Sequence, residues 1–425
     1  MSNSSSRLPT LRLQRGVGNS AVAEVRSRLE RVGLLPPDSG NGDPSIFDDE
    51  LDAAVRRFQQ DRGIIIDGIV GPATFRRLEE ARWCMGDRVV SYSATHMVAG
   101  DDIAELQQRL NDLGFDSGRV DGVFGPDTDH ALREFQRNVG IDADGTCGPS
   151  VWRALRSLRR AVTGGAARQL RSAHWYEQSR TGVADKVIVI DPGHGGTDYG
   201  VVGHRLAECL VAEDLGRRIE GRLAAIGTQV LISRPPSHQL ETSIDETVRA
   251  EFANTTGADL VVSLHTDSEP SGNARGVSTY YYGHERDQSV MGAQFADLVQ
   301  EEIVSRTDLT DCRTHPKTWD LLRITRMPAV RIEFGYLSSS TDAQRLADAA
   351  FRDVLAEAVA VSVVNFFTPE ASGYADAESD AIADSDHADG QLASISALAN
   401  VTQPTSVVLP GSQNRGNEAE HGAQN

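Results

Sequence analysis

Apolar positions follow a helical period in the first third of the chain and gather into short branched runs beyond residue 186. Residues 1–16 are polar and predict a flexible N-terminus. Val22, Val25, Leu29 and Val32 then form one stripe, broken at Gly33 and followed by a loop holding Pro36, Pro37 and Pro44. Leu51, Val55 and Phe58 mark a second helix. Asp67-Gly-Ile-Val-Gly-Pro72 is a turn that sets a proline where a third helix starts, with Phe75 and Leu78 on its inner face.

The same pattern returns from Asp101. Leu106 and Leu110 take the places of Val25 and Leu29, and Gly114 that of Gly33. Asp121-Gly-Val-Phe-Gly-Pro126 opens a middle helix with Leu132 and Phe135. Asp144-Gly-Thr-Cys-Gly-Pro149 opens the last, with Trp152 and Leu155 inside. The expectation is two small three-helix modules, at residues 17–82 and 98–160, with Phe58 and Phe135 as core.

An arginine-rich linker, residues 161–185, leads to a different rhythm. Val187-Ile-Val-Ile190 reads as a buried strand that ends in Asp191-Pro-Gly-His194-Gly-Gly196, a turn that exposes an imidazole. A helix is predicted over 206–223, a strand over 229–233, a helix over 244–254 and a strand over 258–264 that ends at His265. A strand over 276–281, a helix over 289–303, a strand over 328–332 ending at Glu333, and one long helix over 342–366 follow. This alternation predicts an α/β domain at residues 186–367 with a central, mostly parallel sheet.

At 425 residues the chain has room for these units, and its formal net charge of -19 disfavours a nucleic-acid binder. Cys84, Cys147, Cys209 and Cys312 are too scattered for a metal knuckle and read as reduced. No run is long and apolar enough to be a transmembrane segment, and no early segment reads as a secretory signal, so a cytoplasmic protein is expected, membrane-proximal only through partners.

The candidate chemistry lies at the strand ends. A histidine after a strand, taken alone, fits a tight turn equally well. Here His194, His265 and Glu333 all close predicted core strands, and Glu208 lies near the start of the first following helix. Parallel strands would bring these ends to one crevice. Two imidazoles and a carboxylate can complete a catalytic zinc shell and leave one position for water. A second carboxylate can take that water's proton and pass it to a leaving amine. His194, Glu208 and His265 are therefore assigned to Zn2+, and Glu333 to general base and acid.

The Asp-Gly-x-x-Gly-Pro signature at Asp67, Asp121 and Asp144 resembles the peptidoglycan-binding module found beside bacterial wall hydrolases. The first copy departs from it, with Phe47-Asp48-Asp49 where the second has Phe124-Gly125-Pro126. The segment from Lys186 to Phe366 resembles the zinc-dependent N-acetylmuramoyl-L-alanine amidase family. The matching pieces are Asp191 to Gly196, Glu208, Ser233-Arg234, Arg249, Ala253-Asn254, Ser263-Leu-His265, Pro328-Ala-Val330 and Glu333-Phe-Gly-Tyr-Leu-Ser338. By position, His194, Glu208 and His265 match the family's metal ligands and Glu333 its catalytic glutamate. The resemblance implies hydrolysis of the amide between N-acetylmuramic acid and L-alanine in peptidoglycan or a muropeptide.

Three positions depart from the family pattern. Cys209 stands where lysine is frequent, Ser339 where asparagine is usual, and Asp267 where asparagine often follows the second histidine. Asp267 could orient a group behind the metal ligands, repel an acidic peptide, or face solvent, the reading preferred here.

Residues 368–425 form an acidic tail whose composition predicts disorder. Thr402 and Thr405 are candidate phosphorylation sites within it. The whole arrangement is similar to the actinobacterial CwlM-like group. That resemblance implies an alternative, non-hydrolytic role: phosphorylation-dependent activation of the UDP-N-acetylglucosamine enolpyruvyl transferase by a cytoplasmic protein, with a Ser/Thr protein kinase as second partner, controlling peptidoglycan precursor synthesis.

Overall fold

In the first repeat the apolar stripe becomes α1 (Ser20–Arg31), α2 (Asp49–Asp61) and α3 (Pro72–Glu80), closed around Val22, Val25, Leu29, Leu51, Phe58 and Leu78. The computed structural model describes residues 12–37, 43–158, 174, 176–284 and 287–369. Thr402 and Thr405 lie outside the described residues, as does most of the linker. The second repeat gives α4 (Asp101–Asp112), α5 (Pro126–Val139) and α6 (Pro149–Ser157) around Leu106, Leu110, Leu132, Phe135 and Trp152. Its short strands β1 (Val90–Ser91) and β2 (Thr146–Cys147) pair antiparallel.

Each Asp-Gly turn is clasped by a buried glutamine. Gln59 donates to Asp67 Oδ1 at 2.8 Å and accepts from the Gly68 N–H at 2.9 Å. Gln107 does the same for Asp121 and Gly122, and Gln136 for Asp144 and Gly145. The glycines take φ of 71–72°, where a side chain is strained. The signature is therefore used by the fold itself. At the first copy's departure, Asp48 caps α2 by accepting from the Leu51 N–H at 2.9 Å, so the helix start survives the loss of Gly and Pro.

The larger domain holds β3 (Val187–Pro192), a hairpin of β4 (Val202–Gly203) and β5 (Leu206–Ala207), β6 (Gln229–Ile232), β7 (Leu260–Asp267), β8 (Val277–His284), β9 (Asp287–Gln288), β10 (Asp311–Lys317) and β11 (Ala329–Tyr336). The main sheet runs β10-β8-β11-β7-β3-β6, with β9 paired to β8. All of its neighbouring pairs are parallel except β11–β8 and β8–β9. Chain order reverses at β3, whose neighbours β6 and β7 lie on opposite sides, and the crevice at such a reversal is where α/β sheets bind ligands.

On one face lie α7 (Glu208–Ala225), α9 (Val290–Arg306) and α12 (Ala349–Phe367). The opposite face carries α8 (Glu246–Thr255) and the short α10 (Asp320–Ile324), packed over Val189, Val261 and Tyr282. The long final helix predicted over 342–366 is two helices, α11 (Ser340–Ala347) and α12. Asp348 leaves the helical conformation and caps α12 by accepting from the Ala350 N–H. β7 and β11 also run past their predicted ends, so His265 and Glu333 lie within strands. No helix among the described residues is long and apolar enough to cross a membrane.

Candidate metal centre

β3 delivers the chain to Gly193 and His194 at the sheet reversal, and His194 takes φ 57°, the left-handed region. Non-glycine residues held there gather at functional sites. The loop is braced from beneath by Arg234, which donates to the carbonyls of Pro192 (2.8 Å) and Gly193 (3.1 Å). Asp191, fully buried, accepts from Arg249 Nε at 2.6 Å and Ser263 Oγ at 2.7 Å, and also from Ser233. These partners hold its carboxyl below the usual carboxylate range against the opposing effect of burial. Much of the family pattern around the histidines is thus strut work.

Glu208 is the first residue of α7, a position where the helix dipole favours a carboxylate. Its Oε2 accepts from the Val201 N–H at 2.8 Å. Its Oε1 faces both imidazoles, 2.7 Å from His265 Nδ1 and 3.2 Å from His194 Nε2. One side-chain donor atom from each of the three residues lies within 4.8 Å of the others, so among the described residues they form a group that could hold a metal ion. Zinc bonds of the usual length put tetrahedral ligand atoms roughly 3.3 Å apart, so the donor set fits that ion.

Burial opposes charge on all three residues, but the outcomes differ. His194 is pushed up to about 9, because Asp198 and Glu208 outweigh burial. His265 is pushed down to about 3 by burial and by Arg331, and is therefore neutral. Glu208 stays far below its usual range through its two histidines. Asp198 Oδ2 sits 2.8 Å from His194 Nδ1 and orients that ring. Sequence reasoning missed Asp198; its signal was a carboxylate four residues after the histidine in a glycine-rich turn.

Parallel register sets Glu333 on β11 directly beside His265 on β7. Side chains at paired positions share a sheet face. The strand bulges just beyond, between Glu333 and Tyr336, where Gly335 takes φ 145°. Arg331, two residues earlier on the same face, holds Glu333 Oε1 through Nη2 at 2.7 Å and Nε at 2.8 Å. Glu333 Oε2 is buried with no hydrogen-bond partner among the described residues. Burial, reinforced by Glu208 and Asp267, pushes Glu333 up to about 7 despite Arg331, which suits proton exchange near neutrality.

Asp267 is half-buried at the end of β7 and accepts from the Ser268 N–H at 2.6 Å; burial raises it. Cys209 is buried, and Ser339 caps α11. A cavity of about 580 Å³ lies away from these groups, between the second module and the α8 face, lined by Tyr92, His96, Glu251 and Arg326 among others.

The glycine before His194 is a point of close approach. A Cβ on Gly193 would sit 2.2 Å from His265 Cε1 and 2.5 Å from its Nδ1. Gly193→Ala is therefore expected to turn the His265 ring out of place. Zinc affinity, read by chelator competition, should fall by at least about tenfold, with a stability loss of about 1–3 kcal/mol by thermal melting. Wild-type zinc affinity in this variant would contradict the crowding.

Residues 188–365 match the family profile described as N-acetylmuramoyl-L-alanine amidase, and residues 18–78 and 99–155 match that of a peptidoglycan binding domain. The chain is similar to the N-acetylmuramoyl-L-alanine amidase CwlM of Mycobacterium tuberculosis, 40% identical over 366 residues that span 84% of this chain and 89% of that protein. It is also similar to the N-acetylmuramoyl-L-alanine amidase LytC of Bacillus subtilis, 28% identical over 190 residues, 45% of this chain and 37% of that one. Among solved structures, the amidase AmiC2 of Nostoc punctiforme aligns with 43% of this chain and 96% of its own, at 29% identity and a TM-score of 0.39.

Proposed function

This chain belongs to the N-acetylmuramoyl-L-alanine amidase family, in the CwlM-like arrangement with two peptidoglycan-binding modules ahead of the amidase domain, and from that premise we propose that it hydrolyses the amide between N-acetylmuramic acid and L-alanine, using zinc held by His194, Glu208 and His265. The observation that carries this reading is the convergence of those three ligand atoms beside the buried Glu333. Zinc bound there would polarise the scissile carbonyl and lower the pKa of the attacking water. Asp198 keeps His194 Nε2 turned inward by taking its Nδ1. Arg331 occupies one oxygen of Glu333 and leaves Oε2 to take the water's proton and hand it to the departing alanine nitrogen. Residues 17–82 and 98–160 serve as wall-binding modules for peptidoglycan or muropeptides, and residues 186–367 as the amidase unit.

Metal analysis of the purified full chain should give one zinc per chain. Incubation with purified muropeptides should release peptides with a free N-terminal alanine, detected by mass spectrometry. Folded protein without zinc would refute the site, and zinc without released peptide would refute the hydrolase.

The second reading is the regulatory one: a cytoplasmic protein, membrane-proximal through its partners, that activates the enolpyruvyl transferase once a kinase has modified the tail. Its support is the similarity to a CwlM protein that spans 84% of this chain, together with the acidic tail carrying Thr402 and Thr405. Cell rescue by a hydrolysis-dead variant separates the two.

A further inference from the structure

Both modules grip the short helix α10 and the residues that lead into it. From the first module, Glu80 forms a two-pronged ion pair with Arg323, at 2.8 and 3.0 Å. Arg77 donates to the carbonyl of Thr318. Arg76 reaches Asp320 at 2.8 Å and Asp245 at 3.4 Å, so one guanidinium bridges the N-terminal ends of α10 and α8. From the second module, Arg119 donates to the carbonyls of Leu322 (3.3 Å), Arg323 (2.9 Å) and Thr325. A helix leaves its last carbonyls without internal partners, and a cation there also opposes the helix dipole favourably. The modules are tied to each other by Arg62 and Asp101, at 2.6 and 2.7 Å.

The gripped elements are the ones that hold Arg331. Trp319, the residue just before α10, lies with its ring 4.4 Å from the Arg331 guanidinium. Glu246, the first residue of α8, pairs with Arg331 at 3.3 Å. Arg331 in turn holds Glu333 Oε1. From Arg76 two short routes thus converge on the general base, one through Asp320 and Trp319, the other through Asp245 and Glu246.

We propose that docking of the helical modules positions Glu333 for proton transfer, with Trp319 and Arg331 as the positioning residues. This rests on the amidase reading above. With the modules seated, α8 and α10 fix Arg331 from both sides, and Arg331 fixes which oxygen of Glu333 stays free. With the modules released, Arg331 loses both supports, and Glu333 takes orientations that do not reach the water.

Arg76→Ala in the full chain is a gentle cut, because Asp320 keeps Arg323 at 3.4 Å. On a soluble muramoyl-peptide, kcat is expected to fall between about ten- and a hundredfold, as for a catalytic group displaced by a fraction of an ångström. KM and zinc content should be unchanged. Arg331→Gln should give a similar loss, the double variant should lose little more than Arg331→Gln alone, and Arg331→Lys should recover part of the rate. Losses that multiply independently, or a change confined to KM, would overturn the proposal.

The cobalt(II)-loaded protein supplies a readout without turnover. Arg76→Ala and Arg331→Gln should shift its visible absorption in the same direction as Glu333→Gln. If wild-type protein binds metal but cleaves nothing, the amidase reading fails, and the cobalt spectra still decide the positioning. Unmoved spectra in Arg76→Ala would sink it.

Discussion

Replacing Glu333 with Gln is expected to slow muropeptide hydrolysis by about 10²–10⁴-fold, the usual worth of a positioned acid–base group, while zinc content stays at the wild-type level. The substitution keeps the shape of the side chain, and the amide oxygen can still accept from Arg331. What it removes is the basic lone pair at Oε2, the atom that has no partner among the described residues. Arg331 also keeps Glu246 as a counter-ion, so the buried guanidinium is not stranded and the fold should survive. Zinc analysis beside a rate measurement separates this outcome from loss of the metal. Undiminished hydrolysis would reject the role given to Glu333. The same variant discriminates between the two functional readings. Cells whose growth depends on the protein should fail with Glu333→Gln if hydrolysis is the essential task, and should grow normally if activation of precursor synthesis is.

Much of this arrangement was legible because strong signals coincided. Ile188 to Ile190 and Leu260 to Leu264 are buried runs between other strands, as their composition requires. The three Asp-Gly turns marked the modules, although only the structure explains them, through Gln59, Gln107 and Gln136. Weak signals hid the rest. β10 holds only exposed and half-buried residues at the sheet edge, in the sequence Asp-Cys-Arg-Thr-His-Pro-Lys, and carries no apolar signature. α10 has five residues, too few to show a period. Asp348 ends one helix and caps the next without a glycine or proline to announce the break.

Arg331 could have been found. A charged residue inside the run Ala-Val-Arg-Ile, two positions before Glu333, must share its sheet face. The contacts made by Arg76 and Glu80 had no such signal, since charges on an amphipathic helix read as a solvated face until a neighbour covers them, and Arg119 stands in the loop between α4 and α5, where a polar residue is expected.

Glu208→Ala should abolish zinc loading where Glu333→Gln spares it. Glu208 Oε1 stands between both imidazoles, so its removal takes one of the three proposed ligands and also the atom that holds the two rings at their spacing. Loss of a partner that only orients a ligand costs roughly 10–100-fold in metal affinity, which is the range expected for Asp198→Ala. Glu208→Ala should exceed it, with hydrolysis lost in step. The fold should persist, because His265 is already neutral at physiological pH and its burial strands no charge.

Protons add a second check. His194, raised to about 9, carries a proton in the metal-free protein at neutral pH, and a zinc ligand must shed it. Calorimetry of zinc binding in buffers of different ionisation enthalpy should therefore show net proton release in the wild type. The amount should fall in Asp198→Ala, where the His194 proton has lost one of the two carboxylates that retain it. Full zinc occupancy in Glu208→Ala, or proton release unchanged by loss of Asp198, would mean that the ion is held by another set of residues.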